Sequence, residues 1–161
     1  SNEVQEVSSG FNCKAFVWLG VASILTIFDS GSSRNSISET FFKALLKEPT
    51  MIPLIKDVVR IQPMECKTVD GSRTICVDRV VELEVTFKDD NKNSVTKVLS
   101  FLVVKNSTED LMLGYPTLCS MGFVSDEHTI ELRAEDLRFN TVIPDVVPDA
   151  KEDHFLFFDE P

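Results

Sequence analysis

Long hydrophobic runs are missing from this chain. Its longest apolar stretches fall far short of the ~20 residues that a membrane-spanning helix needs, so no segment reads as a helical span. Cations are scarce as well. Lys and Arg number 16 against 26 Asp and Glu, a formal charge of -10. Phosphate backbones are held by clustered Lys and Arg, so nucleic acid is not an expected partner. Only two histidines occur, His128 and His154, and both sit in polar or tail sequence. Without clustered acids or cysteines beside them they suggest neither a zinc site nor a general base, and no metal or cofactor is expected. The G-x-S-x-G elbow of a serine hydrolase is absent. So is C-x-x-C: Cys13, Cys66, Cys76 and Cys119 are spread without metal-type spacing. They read first as four reduced thiols in a cytoplasmic protein. Cys66 and Cys76 are the exception, because a three-residue hairpin loop at Asp70-Gly71-Ser72 sets them directly opposite each other. The start, Ser1 to Glu6, is polar and acidic, unlike a secretory signal, so the sequon Asn106-Ser107-Thr108 is expected to be unused.

What is present describes one globular domain. The chain has 161 residues, 43% hydrophobic and 26% charged, enough for a single real core. Phe11 to Leu19 and Ser23 to Phe28 read as strands, with a turn at Gly20 between them. The second strand runs into Asp29-Ser30-Gly31-Ser32-Ser33, all small or turn-forming residues. Ser36-Ile37-Ser38-Glu39 fits a capping box, and Ile37, Phe41, Leu45 with Phe42 and Leu46 give the helical face that follows, stopped by Pro49. Residues 50–63, bracketed by Pro53 and Pro63, read as strand or irregular chain. From Glu65 the pattern is β. A hairpin turns at Asp70-Gly71, and its long second arm alternates Val81, Leu83, Val85, Phe87 with Glu82, Glu84, Thr86, Lys88, one dry face and one wet face. Glu82 and Glu84 therefore read as solvated. Val95 to Val104 is a further strand, Leu111 to Gly114 a short one, Thr117 to Met121 a helical turn, and Phe123 with Thr129 to Leu132 a last strand pair. The expected division is a polar extension over 1–10, a domain over 11–140 and an acidic tail over 141–161. Residues 145–161 hold six acids against Lys151 alone, yet include the apolar cluster Phe155-Leu156-Phe157-Phe158. That cluster suits docking of a protein partner, an added strand at a subunit interface, or a cleavage site.

One triplet carries chemistry. Asp29-Ser30-Gly31 places a carboxylate at the end of a buried strand, followed by a hydroxyl and a glycine. The context is ordered: strand and triplet, capped helix, hairpin at Val69-Asp70-Gly71-Ser72, then Ser100 to Val104 and Met112-Leu113-Gly114 with a short helix after it. In that order the chain, over roughly residues 11–135, resembles the retropepsin-like aspartic protease domain of retroviruses and, more closely, of Gypsy-type retrotransposons.

The resemblance implies a mostly β fold, a closed barrel-like domain with one or two short helices, and an aspartic endopeptidase. Two carboxyl groups about 3 Å apart cannot both ionise, so such a pair shares one proton. The ionised partner accepts a proton from water as it attacks the peptide carbonyl, and the protonated partner supports the oxyanion. This chain supplies one such aspartate. The expected enzyme is thus a homodimer with one Asp29 from each copy. Ser30, Gly31 and Ser32 would form the active-site loop, Val69 to Ser72 the flap, and Leu113 and Gly114 the support. Arg34 would face an extended polypeptide substrate. The alternatives are a catalytically silent domain of the same fold used for dimerisation or docking, and a β-rich binding domain in which the triplet is coincidence.

Overall fold

The computed structural model describes residues 12–67, 70–126 and 128–142, and the backbone of residues 156–157. The chain is mostly β. Strands β1 (Asn12–Leu19) and β2 (Ala22–Asp29) form an antiparallel hairpin around Gly20, whose φ of 60° suits a residue without a Cβ. Short β3 (Ser36–Ser38) leads into helix α1 (Glu39–Leu46). A single 3-10 turn at Ile52–Leu54 precedes the long hairpin of β4 (Ile55–Lys67) and β5 (Arg73–Lys88). Then come β6 (Ser94–Val104), β7 (Leu111–Gly114) and helix α2 (Tyr115–Ser120). Strands β8 (Phe123–Ser125), β9 (Thr129–Leu132) and β10 (Leu137–Asn140) make a small second sheet. Two residues far along the tail, Leu156–Phe157, form β11.

The larger sheet runs β1-β2-β7-β3-β6-β5-β4-β11, and a contact between Trp18 of β1 and Thr86 of β5 closes six of these strands into a ring. Burial follows the pairing. The first half of β2 alternates, but Thr26, Ile27 and Phe28 are all buried, because β7 runs parallel beside them and both faces are covered. Val81, Leu83, Val85 and Phe87 face inward as their alternation requires. Phe28, fully buried, meets Phe123 edge-on at 5.6 Å, and Phe123 in turn meets Phe87 and Phe139. Burying a side chain of this size contributes about 1.5–3 kcal/mol, and edge-to-face rings add to it. This aromatic cluster anchors the residue immediately before Asp29.

The helix start is corrected, the strand reading of residues 50–63 holds from Ile55 on, and one strand is added. The helix cap is Ser38, not Ser36: the Ser38 hydroxyl accepts the Phe41 amide at 3.0 Å. Ser36 and Ile37 instead form a buried strand between β6 and β7, so Ile37 leaves the helical face, and Leu46 is exposed. Pro63 does not interrupt β4. It falls where the β4–β5 register slips between Arg60 and Met64, so no ladder bond needs its missing N–H. Strand β10 was not expected; it pairs with β9, and beyond it Val142 bridges to Lys14 of β1.

The reading of four reduced thiols is also corrected: Cys66 and Cys76 are disulfide-bonded, and Cys13 and Cys119 are free. The route differs from the one expected. Cys66 pairs in register with Thr74, not with Cys76, and the ladder then slips between Glu65/Ile75 and Met64/Val77. Cys76 is the extra residue of that bulge. The bulge draws a diagonal neighbour, normally 7–8 Å away, to a Cα–Cα distance of 5.7 Å. The bond closes a loop of about ten residues, which constrains the unfolded chain by roughly 2–3 kcal/mol. Reduction is expected to lower the stability of the whole chain by about that amount in urea unfolding. Thiol titration of the denatured, unreduced protein is expected to find two thiols; four would contradict the bond. The same titration on protein taken from its own cell addresses the cytoplasmic expectation.

A half-buried ionic cluster ties the hairpin to the helix. The Arg79 guanidinium pairs with Glu39 of α1 and lies 5.7 Å over the Phe42 ring. Asp78 receives Arg79 at 3.3 Å, Lys105 at 3.2 Å and Arg60 at 3.6 Å. Burial raises the Asp78 carboxyl, but Lys105 and Arg79 outweigh it and hold the group below its ordinary 3.8. The backbone amide of His128 and the amide and hydroxyl of Thr129 do the same for Asp126, and Arg138 and Arg133 hold Glu131 below 4.5. In each case the folded value lies under the unfolded one. The stability they contribute is complete above the unfolded value and is lost as pH falls through the folded value. Melting temperature is therefore expected to be insensitive to these groups between about pH 7 and 5, and to fall below about pH 4, as circular-dichroism melts would show.

Candidate active site

Asp29 is the last residue of β2. Its backbone is flanked by Asn12 of β1 on one side and Gly114 of β7 on the other. One carboxylate oxygen, Oδ1, accepts the Gly31 amide at 2.8 Å, and the Ser32 amide donates to the Asp29 carbonyl at 3.2 Å. The carboxylate is thus turned back over its own loop and held half-buried. A Cβ on Gly31 would lie 3.1 Å from Oδ1, so the glycine lets the loop close tightly around the acid.

The loop is held from a distance. The Ser32 carbonyl accepts the Tyr115 amide at 2.8 Å, and the Ser32 hydroxyl donates to the Arg34 carbonyl at 2.8 Å. Gly114 packs under this turn so closely that an added Cβ would sit 2.5 Å from the Arg34 carbonyl oxygen and 2.8 Å from that of Ser32. Of the residues expected to support the site, Leu113 is buried opposite Phe28, and Gly114 lies directly beside Asp29. Asp29, Ser30, Gly31, Ser32, Leu113 and Gly114 therefore gather in one place.

Asn35 belongs to the same assembly and escaped the sequence reading. Its side-chain oxygen accepts the Gly114 amide at 2.8 Å, and its amide nitrogen donates to the Ser100 carbonyl at 3.1 Å and the Thr117 hydroxyl at 2.7 Å. One side chain thus joins the Asp29 loop to β6, β7 and α2. The only sequence signal was its place one turn after the triplet. Beside it opens a cleft of about 470 Å³ lined by Ser33, Arg34, Asn35, Ser100, Pro116 and Thr117. Arg34 thus lines a surface cleft next to the loop.

The hairpin residues lie at the far end of β4 and β5. Asp70 Oδ1 accepts both the amide and the hydroxyl of Ser72, at 2.9 and 2.8 Å, and Gly71 has φ 88°. This is an Asx-type turn in which glycine supplies the left-handed residue. Val69 lies outside the described residues. The two free thiols differ from the disulfide pair: burial pushes Cys13 up to about 11, an inert group. Among the described residues no group of three or more His, Cys, Asp or Glu is placed to hold a metal, and no helix is long and apolar enough to cross a membrane.

No protein-family model matches the sequence, and no curated protein matches it either. Solved structures do. The retroviral protease-like domain of Ddi1 from Leishmania major superposes with a TM-score of 0.53 over 85% of this chain and 98% of that one, at 12% identity. The fold is retropepsin-like. At that identity the likeness concerns architecture alone. The retropepsin-like frame is nonetheless the one in which the ordered motifs of the sequence were expected to sit.

Proposed function

We propose that this chain is an aspartic endopeptidase that acts as a homodimer, with a water molecule activated between two Asp29 carboxylates. The observation that supports this most is the position of Asp29. The carboxylate ends a strand anchored by Phe28, its loop is locked over Gly114, and Asn35 braces the whole against three other elements. Preorganised placement of this kind is what general acid–base chemistry needs. The substrate in this reading is an extended polypeptide taken by strand addition, with the hairpin at Asp70–Ser72 closing over it. A kinship with retrotransposon-type proteases belongs to the same proposal and rests on the motif order. A cytoplasmic location is a separate proposal, tested by whether the Cys66–Cys76 bond is present in protein taken from its own cell.

A silent docking or dimerisation domain is the second reading, and one observation favours it. A flap must move, whereas this hairpin is tied by the Cys66–Cys76 bond and by the Asp78 cluster at its base. The experiment is cleavage of a mixed peptide library at about pH 5, where a carboxylate dyad can hold one shared proton. It is run with and without a statine-type inhibitor, beside Asp29→Asn, with the molecular mass measured in solution. Cutting that both treatments abolish supports the enzyme. A dimer that cuts nothing supports the silent domain, and a strict monomer rejects the shared dyad and leaves docking without dimerisation.

A further inference from the structure

Among the described strands, the larger sheet closes into a ring from which β4 hangs outside. Trp18 against Thr86 completes the ring, which leaves β4, hanging from β5, as the strand with an outer side to offer. Such an edge presents a row of backbone N–H and C=O groups that pair with any extended chain. Much of β4 is protected in the usual ways, by the exposed charges Lys56, Asp57, Arg60 and Glu65, by Pro63, and by its register slips. The last two residues of β4 are different. There the edge is occupied by this same chain: β11 runs antiparallel to β4, with Leu156 opposite Lys67 and Phe157 opposite Cys66.

The pairing is selective in sequence as well as in place. Phe155-Leu156-Phe157-Phe158 is the one apolar run in a stretch that otherwise holds six acids and Lys151. Aromatic and branched aliphatic residues suit a strand. The Cys66–Cys76 bond cross-braces β4 to β5 at the same level, so the edge on which β11 lies is held in an extended conformation. A rigid strand loses little freedom when it accepts a partner.

We propose that the outer edge of β4 at Cys66–Lys67 is an acceptor site for extended apolar segments, and that Leu156–Phe157 is its resident occupant. The further claim that this occupant competes with substrate rests on the endopeptidase reading; the pairing itself does not. The tail then acts as an intramolecular competitor that an incoming peptide has to displace.

The test uses the full-length chain. Hydrogen exchange is measured over residues 64–67 in the wild type and in Leu156→Pro/Phe157→Pro, because proline has no N–H to give to a ladder. Exchange there is expected to quicken at least about tenfold in the variant while residues 81–87 keep their protection. A synthetic peptide with the sequence of residues 150–161 should slow it again, and the same peptide with aspartate at the two apolar positions should not. Equal exchange in both proteins, or no effect of the peptide, overturns the acceptor site. Leu156→Asp/Phe157→Asp, which keeps the backbone donors, should move exchange in the same direction and guards against a variant that misfolds. Peptide cleavage separates the two claims. A lower KM with unchanged kcat in the variants supports competition, and cleavage with unaltered KM overturns it. Restored protection without any cleavage leaves the acceptor site standing and rejects the endopeptidase.

Discussion

Gly114→Ala is expected to lower the melting temperature of this protein by roughly 10 °C and to open the loop that carries Asp29. A methyl group at this position meets backbone, not a side chain that can swing away: the carbonyl oxygens of Arg34 at 2.5 Å and Ser32 at 2.8 Å. Overpacking of a well-packed site costs typically 1–3 kcal/mol, and a clash with two carbonyls belongs at the upper end. For a domain of this size about 3 kcal/mol corresponds to roughly 10 °C. The damage is not confined to stability. Relief requires the Ser32–Arg34 turn to lift, which breaks the bond from the Tyr115 amide to Ser32 and slackens the Asn35 bond to the Gly114 amide. Gly122→Ala is the control, since a Cβ there meets nothing within 4 Å and only its φ of 72° is strained, for about 1 kcal/mol. A differential scan of both variants checks the contrast. Equal losses would mean that the close approach under the loop is not what Gly114 supplies.

The parts of this fold that were legible in the sequence are those set by neighbours along the chain. Alternation in Val81 to Phe87 reports the dry face directly, and the structure buries Val81, Leu83, Val85 and Phe87, while Glu82, Glu84 and Thr86 between them are half-buried, not open to water. Ser36 to Ser38 was misread for the opposite reason. Its three residues look like a cap because the cap lies among them, yet Ser36 and Ile37 are fixed by pairing with β6 on one side and β7 on the other. No local pattern announces a three-residue strand held wholly by tertiary partners. The cysteines fall between these cases. Their closeness across a hairpin was visible, but the register was not, because a bulge at Cys76 replaces direct opposition with a diagonal contact.

The site divides in the same way. Asp29, Ser30 and Gly31 are contiguous, so a triplet after an apolar run brings them to notice, and Gly114 could be found because an ordered set of motifs assigned it a place. Asn35 had no such aid. Its three hydrogen bonds reach positions 65, 79 and 82 residues away, and an asparagine between Arg34 and Ser36 looks like any turn residue. The edge of β4 was hidden for a related reason. The tail's apolar run was conspicuous in the sequence, but which strand receives it depends on which edge the closed ring leaves open.

Asp29→Asn is expected to abolish peptide cleavage, by at least about 10³-fold, while leaving the melting temperature within a few degrees of the wild type. The substitution is nearly isosteric. An amide oxygen at Oδ1 still accepts the Gly31 amide, so the loop keeps its internal bond. What is lost is the ability to take a proton from water, and an amide on one side of the dyad cannot share a proton with the carboxylate on the other. Because the proposed site needs one Asp29 from each chain, mixing gives a sharper result than the variant alone. When equal amounts of wild-type and Asp29→Asn chains exchange at random, about one quarter of the dimers carry two carboxylates, and activity should fall to about a quarter of the all-wild-type value. A fall to only one half would mean that each chain cuts by itself. That outcome would remove the shared dyad even if the single variant proved inactive, because a lone carboxylate in a complete one-chain site dilutes in proportion to its amount and not to its square.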